Sequence, residues 1–116
     1  MNKANNNSKP VQIDNANFDS EVLESKQPVL VAFLTTWSRP CTGLLPVLDK
    51  IASERAGKLK VVRVNADLNF DLSLWCDVRS IPTLLYFVAG NIRTKFVGAA
   101  TKEAILSKLE PTPALS

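Results

Sequence analysis

The feature that most constrains the fold is an unbroken apolar run at residues 29–34, which reads Val-Leu-Val-Ala-Phe-Leu. A strand with one face in water alternates apolar and polar residues, and this run does not alternate. It is therefore typical of a central strand that is buried on both faces of its sheet. A sheet of this kind has helices on both sides, so the run predicts an α/β fold.

Apolar residues recur with helical spacing soon after this strand and predict an amphipathic helix, which Gly57 is expected to end. The residues with this spacing are Cys41, Leu44, Leu45, Leu48, Ile51 and Ala52. Further strands are predicted at 11–13, 59–64, 83–88 and 92–97. The turn at 89–91 joins the last two strands into a hairpin. The hairpin makes the predicted sheet mixed, with five strands and four flanking helices.

The three remaining helices are placed by capping residues and apolar spacing. Asn17 is predicted to cap the first of them and Thr101 the last, while a short helix is predicted over 68–76. The side chains expected to face the core from the short helix are Leu68, Leu72 and either Trp75 or Cys76. Those expected to face it from the last helix are Ala104, Ile105 and Leu109.

The ends of the chain differ in composition from the rest. Residues 1–10 contain four Asn and no large aliphatic residue after Met1, and residues 111–116 contain two Pro. We expect a disordered tail at 1–10, one domain at 11–110 and a C-terminal tail at 111–116. The start lacks the apolar stretch of ~7–15 residues of a secretory signal, and no run approaches the ~18 residues of a membrane span. A cytoplasmic protein without a membrane partner is therefore expected. We also expect it to be a monomer.

Charge and residue counts exclude several kinds of function. The formal net charge is +3, and two of these charges belong to Lys3 and Lys9. The remaining basic residues are mixed with acids such as Asp49 and Glu54, so they form no one-sided stripe for nucleic acid. The chain has no His and two Cys. Catalysis by Ser-His or Cys-His pairs and metal sites with His or four thiolates are excluded, and no metal or cofactor is expected.

The residues with the clearest chemical meaning are Trp37-Ser38-Arg39-Pro40-Cys41, between the central strand and the amphipathic helix. A helix N-terminus presents backbone N–H groups and the positive end of its dipole, and these stabilise a thiolate. Redox α/β proteins place a C-x-x-C pair at this junction, and here Ser38 stands at its first position. Ser38 is interpreted as a helix cap or, alternatively, as a residue with a role in binding or chemistry. Cys41 is either an inert buried thiol or a functional one.

Several segments together resemble the thioredoxin family, from about Val11 to Leu109. The segments that carry the resemblance are Phe33 to Cys41 around W-S-R-P-C, Asn65-Ala66-Asp67, Val78 to Thr83 around Ile81-Pro82, Phe87 to Gly90, and Val97-Gly98-Ala99. The resemblance implies the thioredoxin fold, with Pro82 preceded by a cis peptide bond. It also implies a groove at which Trp37, Pro40, Pro82 and Gly98 form a shallow apolar patch.

The family's reaction implies a first Cys that attacks a target disulfide and a second that resolves the mixed disulfide. By position, Ser38 replaces the attacking Cys and Cys41 is the resolving Cys. Between these two positions, this chain has Arg39 where the family has Gly. This chain has Ala32 at the position of the family's buried acid, and it has Arg63 at the position of the Lys that pairs with that acid. A second Trp of the family is replaced by Leu34.

Three hypotheses follow from this pattern. The first is a redox-family protein with weak or absent dithiol reductase activity, whose groove around Trp37, Arg39, Pro40, Ile81, Pro82 and Gly98 binds a protein or peptide as an added strand. The second is an active oxidoreductase in which Cys41 works with Cys76 or an external thiol. Alternatively, Cys76 is a core residue, as is usual for a buried Cys. The distance between the two cysteines decides, because a disulfide needs Cα atoms within ~7 Å. The third is a scaffold subunit of a larger assembly.

Overall fold

A computed structural model of the chain describes residues 8–98 and 100–109. It contains five strands, which lie close to their predicted positions. Their bounds are β1 Val11–Ile13, β2 Val29–Leu34, β3 Lys60–Asn65, β4 Thr83–Val88 and β5 Asn91–Val97. The predicted tails lie outside the described residues, apart from residues 8–10.

The strands form one mixed sheet in the order β1-β3-β2-β4-β5. β3 pairs in parallel with both β1 and β2, whereas β4 is antiparallel to β2 and to β5. β2 lies at the centre, and all six of its residues are buried. The prediction of an α/β fold around a mixed five-stranded sheet is confirmed.

Four helical segments accompany the sheet in the described part of the chain. They are a π-helical segment Asp19–Leu23 and the α-helices α1 Arg39–Glu54, α2 Phe70–Trp75 and α3 Lys102–Leu109. Over the same residues, no helix combines the length and the apolar character needed to cross a membrane. In α3 the predicted cap is present, because the Thr101 hydroxyl accepts a hydrogen bond from the Ala104 N–H at 3.1 Å.

The two faces of the sheet bury separate hydrophobic clusters, because neighbouring strand residues point to opposite sides. The first cluster lies under α1 and α3 and includes Leu30, Ala32, Leu34, Cys41, Leu48 and Ile105. The second lies under the π-helical segment and α2 and includes Phe18, Val31, Phe33, Val64, Leu72 and Cys76. The predicted apolar face of α1 is confirmed, with Leu45 packed at the margin of the first cluster.

Three expectations about the shorter helices were wrong. Asn17 does not cap the π-helical segment, because its side-chain oxygen accepts the Asp14 N–H at 2.8 Å and Phe18 occupies the cap position. Leu68 is 78% exposed, since α2 begins only at Phe70 and leaves Leu68 in the preceding turn. Ala104 is exposed because Ile105 and Leu109, one turn apart, form the buried stripe of α3.

The turn between β4 and β5 requires residues that tolerate positive φ. Ala89 has φ 52° and Gly90 has φ 81°. Two-residue turns with positive φ at both residues match the right-handed twist of the strands that they join. A Cβ at Gly90 would also lie 3.0 Å from the backbone oxygen of Leu23. Gly43 is the opposite case, since it lies exposed within α1 and a Cβ there meets nothing within 4 Å.

The same substitution at these two glycines is expected to change stability in opposite directions. Gly90→Ala should lower the free energy of unfolding by about 1–2 kcal/mol, because an L-residue is forced to positive φ. Gly43→Ala should raise it by about 0.5–1 kcal/mol, because Ala loses less backbone entropy in a helix. Urea unfolding of both variants measures the difference. Equal effects of the two substitutions would contradict the described turn.

Candidate functional site

The predicted site residues lie at one edge of the sheet, where β2 ends, β4 begins and β5 ends. This follows from the register, since Thr83 of β4 is opposite both Phe33 of β2 and Val97 of β5. Directly beyond these pairs, the Gly98 N–H donates a hydrogen bond to the carbonyl oxygen of Pro82 at 2.9 Å. Pro82 and Gly98 are thus joined at the edge from which the chain leaves β2 for α1.

Around this edge the structure places a set of predicted residues with different exposures. Arg39 and Pro40 are exposed, Ser38, Ile81 and Gly98 are half-buried, and Pro82 is buried. The Ile81–Pro82 peptide bond is cis. We call this set the edge surface, which consists of Trp37, Ser38, Arg39, Pro40, Ile81, Pro82 and Gly98.

Trp37 is the aromatic residue of the edge surface, and 75% of its area is accessible. Its indole N–H donates a hydrogen bond to Oδ2 of Asp67 at 2.8 Å. Asp67 is itself positioned, because its backbone N–H donates to Oδ1 of Asn65 at 2.9 Å. The ring is therefore tied to the end of β3 although it faces solvent. The sequence indicates Asp67 only as part of a segment that resembles the family, and it does not predict the contact with Trp37.

Ser38 occupies the N-cap position of α1, with extended backbone angles of φ −92° and ψ 130°. Its carbonyl oxygen accepts the Thr42 N–H at 3.1 Å. The expected capping bond of its hydroxyl is not formed, so this part of the prediction was wrong. A cap hydroxyl bonds the N–H of the second or third helical residue, and the second residue here is Pro40, which has none.

Cys41 is the third residue of α1, within its first turn, and is only 1% exposed. Its sulfur accepts a hydrogen bond from the backbone N–H of Thr35 at 3.4 Å, and the Thr35 hydroxyl lies 3.9 Å away. Thr35 thus links the end of β2 to the thiol. Sequence reasoning missed Thr35, because its position just after the apolar run is the only signal that it carries.

Cys76 lies on the other side of the sheet. It belongs to the cluster under α2, whereas Cys41 belongs to the cluster under α1 and α3. Both are free cysteines. Burial raises the pKa of the Cys76 thiol to about 11, so it is protonated near neutral pH. The structure does not bring together the two thiols that one hypothesis paired.

The raised pKa of Cys76 predicts a loss of stability in alkaline solution. Below its ordinary value of 9.0, the thiol is protonated in both the folded and the unfolded chain. As the pH rises from 9.0 towards about 11, the unfolded chain loses this proton first, so the free energy of unfolding falls. Urea unfolding across this window should show that the advantage of the native chain over Cys76→Ala shrinks. A constant difference would contradict the raised pKa.

Arg63 and Ala32 are neighbours across β3 and β2, as the resemblance implied for its acid and lysine positions. Ala32 is fully buried and has only a methyl group. The Nε atom of Arg63 is also buried, and it has no hydrogen-bond partner in the described part of the chain. This pair therefore differs from a buried acid and its lysine, since Ala32 has no charge to pair with the Arg63 guanidinium.

The mixed sheet has helices on both faces, and a Trp-x-x-x-Cys segment leads into α1. This arrangement is typical of a class of thiol redox proteins. Comparison with known sequences makes this specific. A sequence model of the family described as "Thioredoxin" matches residues 9–111. The chain belongs to the thioredoxin family, and its sheet and helices have that fold.

Curated relatives support the assignment, two of them over nearly their whole length. The thioredoxin of Synechocystis sp. is 41% identical over 99 residues, which cover 85% of this chain and 92% of the relative. The thioredoxin of Pseudomonas aeruginosa is 40% identical over 100 residues, 86% of this chain and 93% of the relative. A bifunctional thioredoxin reductase/thioredoxin of Mycobacterium leprae is 38% identical over 109 residues, which cover 94% of this chain and 24% of the relative.

Proposed function

We propose that this thioredoxin-family protein is a binding module of the thiol redox system with weak or absent dithiol reductase activity. The edge surface would bind an extended segment of a protein partner. The observation that carries the proposal is the placement of the reactive groups. The first position of the motif has the hydroxyl of the half-buried Ser38, while Cys41 and Cys76 are 1% and 3% exposed.

The chemistry of disulfide exchange explains why Ser38 matters. A thiolate attacks one sulfur of the target disulfide, an S–S bond forms, and the other target sulfur leaves as a thiolate. The hydroxyl of Ser38 does not perform this reversible step. Nor is Ser38 equipped for hydrolysis, because a serine nucleophile needs a general base and the chain has no His.

Partner binding is supported by features that do not depend on a thiol. Trp37 offers a large exposed ring that its hydrogen bond to Asp67 holds in place. The joined backbones of Pro82 and Gly98 lie at the end of the sheet, where an extended peptide would be received. Arg39 is exposed at the start of α1 and adds a positive charge to the same surface.

Insulin reduction with dithiothreitol as the reductant tests the proposal. The native chain should not accelerate the reaction over dithiothreitol alone, because no thiol occupies the attacking position. Ser38→Cys should raise the initial rate by at least about tenfold, which is about 1.4 kcal/mol in activation free energy. Turnover by the native chain at the rate of a W-C-G-P-C thioredoxin would overturn the proposal.

The matched control is the double variant Ser38→Cys, Cys41→Ser, which has the new thiol but no resolving partner. It should lose the gained turnover and accumulate mixed disulfide with insulin. Circular dichroism of each variant checks that the fold is kept. If Ser38→Cys folds and remains inactive, the idea of a site that lacks only its first sulfur is wrong.

A second candidate function is an oxidoreductase in which Cys41 attacks and an external thiol resolves. It is favoured by the position of Cys41 in the first turn of α1 and by the Thr35 N–H that contacts its sulfur. Cys76 is a poor resolving thiol, because it lies across the sheet and its burial raises its pKa to about 11.

Alkylation near neutral pH separates the two candidates. An oxidoreductase needs a Cys41 that becomes accessible, so iodoacetamide should label Cys41 much faster than Cys76. The binding module predicts slow labelling of both thiols at rates that denaturant increases strongly. Mass spectrometry of peptides from the folded chain measures both rates, and Cys41→Ser and Cys76→Ser assign them.

A further inference from the structure

A cavity of about 420 Å³ opens beside the site, between the strands β1, β3 and β2 and the first half of α1. It is distinct from the edge surface, because none of the residues that define that surface lines it. Its volume lies within the range of small-molecule sites, which is about 300–1,000 Å³. The proposed function does not use this cavity.

The charged group in the cavity wall is Arg63. The register places it between Gln12 of β1 and Ala32 of β2, and the three residues share the face of the sheet that α1 covers. The methyl group of Ala32 offers the guanidinium no hydrogen bond. The buried Nε of Arg63 has no partner in residues 8–98 and 100–109. Solvent does not reach this Nε atom, so a molecule in the cavity would contact the terminal nitrogens of the half-buried Arg63 side chain.

The rest of the wall indicates which kind of molecule fits. Its other polar groups are side-chain amides and hydroxyls, and no acidic residue is among the described residues that line it. Leu34, Leu45 and Leu68 form an apolar part of the wall. A guanidinium binds a carboxylate through two parallel N–H bonds, and its two terminal nitrogens can supply both donors. An apolar wall next to that group favours an anion with a short hydrocarbon body.

We propose that this cavity binds a small organic monocarboxylate, with Arg63 holding the carboxylate and the leucines contacting its hydrocarbon chain. The missing counter-charge at Ala32 is then supplied by the ligand. Thr35 lines the cavity and also donates to Cys41, so the bound acid would lie next to the residue that contacts the thiol.

Butyrate is a suitable probe, and butyramide is its neutral match in size and shape. Titration of the ¹⁵N-labelled full chain at constant ionic strength should shift the Nε–H signal of Arg63 in a saturable way. The backbone amides of Thr35 and Asn65 should shift with the same dissociation constant, on the order of 1 mM for a ligand of this size. Butyramide should cause no saturable shift.

Two variants test the role assigned to Arg63. Arg63→Met removes the guanidinium and keeps an unbranched side chain, so butyrate binding should weaken by at least about tenfold. Ala32→Asp places a carboxylate of the chain itself beside Arg63 and should weaken binding as much by competition. Arg93→Met is the control, since it removes one exposed charge from β5 at the far edge of the sheet and should leave binding unchanged.

Cooperative urea unfolding of each variant shows that it is folded, and either folded cavity variant suffices for the test. The proposal is overturned if butyrate and butyramide shift the same signals equally, or if no shift saturates. It is also overturned if a folded Arg63→Met or Ala32→Asp protein binds butyrate as tightly as the native chain. Equal saturable binding of inorganic phosphate would overturn the assignment to a carboxylate with an apolar body. These outcomes do not depend on whether the protein reduces insulin.

Discussion

The complete burial of β2 governs the arrangement of everything around it. All six residues are covered, three by the cluster under α1 and α3 and three by the cluster under α2. The strand pairs with β3 on one side and β4 on the other, so its backbone is also enclosed. Because the strand is held from every direction, its last residues deliver Thr35 to the sulfur of Cys41 and start α1 at a defined place.

The site combines an intact framework with altered reactive groups. Pro82 and Gly98, which shape the edge, are joined by one backbone hydrogen bond directly beyond the last pair of β4 and β5. The groups that would exchange disulfides depend on single side chains, and Ser38 and Ala32 differ from what the family's reaction implies. The proposed binding role relies on this framework, because backbone shape and backbone hydrogen bonding do not depend on the side chains of Ser38 and Ala32.

Periodic burial is the part of the structure that could be read from the sequence. The apolar run at 29–34 and the helical spacing from Cys41 to Ala52 are repeated signals, and burial acts on them without needing a particular partner. Local capping was less predictable. Thr101 caps α3 as expected, whereas the side chain of Asn17 bonds Asp14 and the hydroxyl of Ser38 makes no cap bond.

The contacts that sequence reasoning missed join residues that are distant along the chain. Trp37 and Asp67 are separated by 30 positions and meet only because parallel strands end at the same edge. The cavity beside Arg63 likewise lies between α1 and three strands, and no local sequence pattern encodes how these elements pack. Leu68 was misplaced for a related reason, since the start of α2 is set by the turn that follows β3.

The pairing of Arg63 with Ala32 in the sheet has a consequence for proton exchange in this part of the molecule. A buried carboxylic acid gains or loses a proton as the medium changes, whereas arginine keeps its charge at every pH that a folded protein experiences. Because Ala32 has no ionisable group, this position of the central strand cannot take up or release a proton.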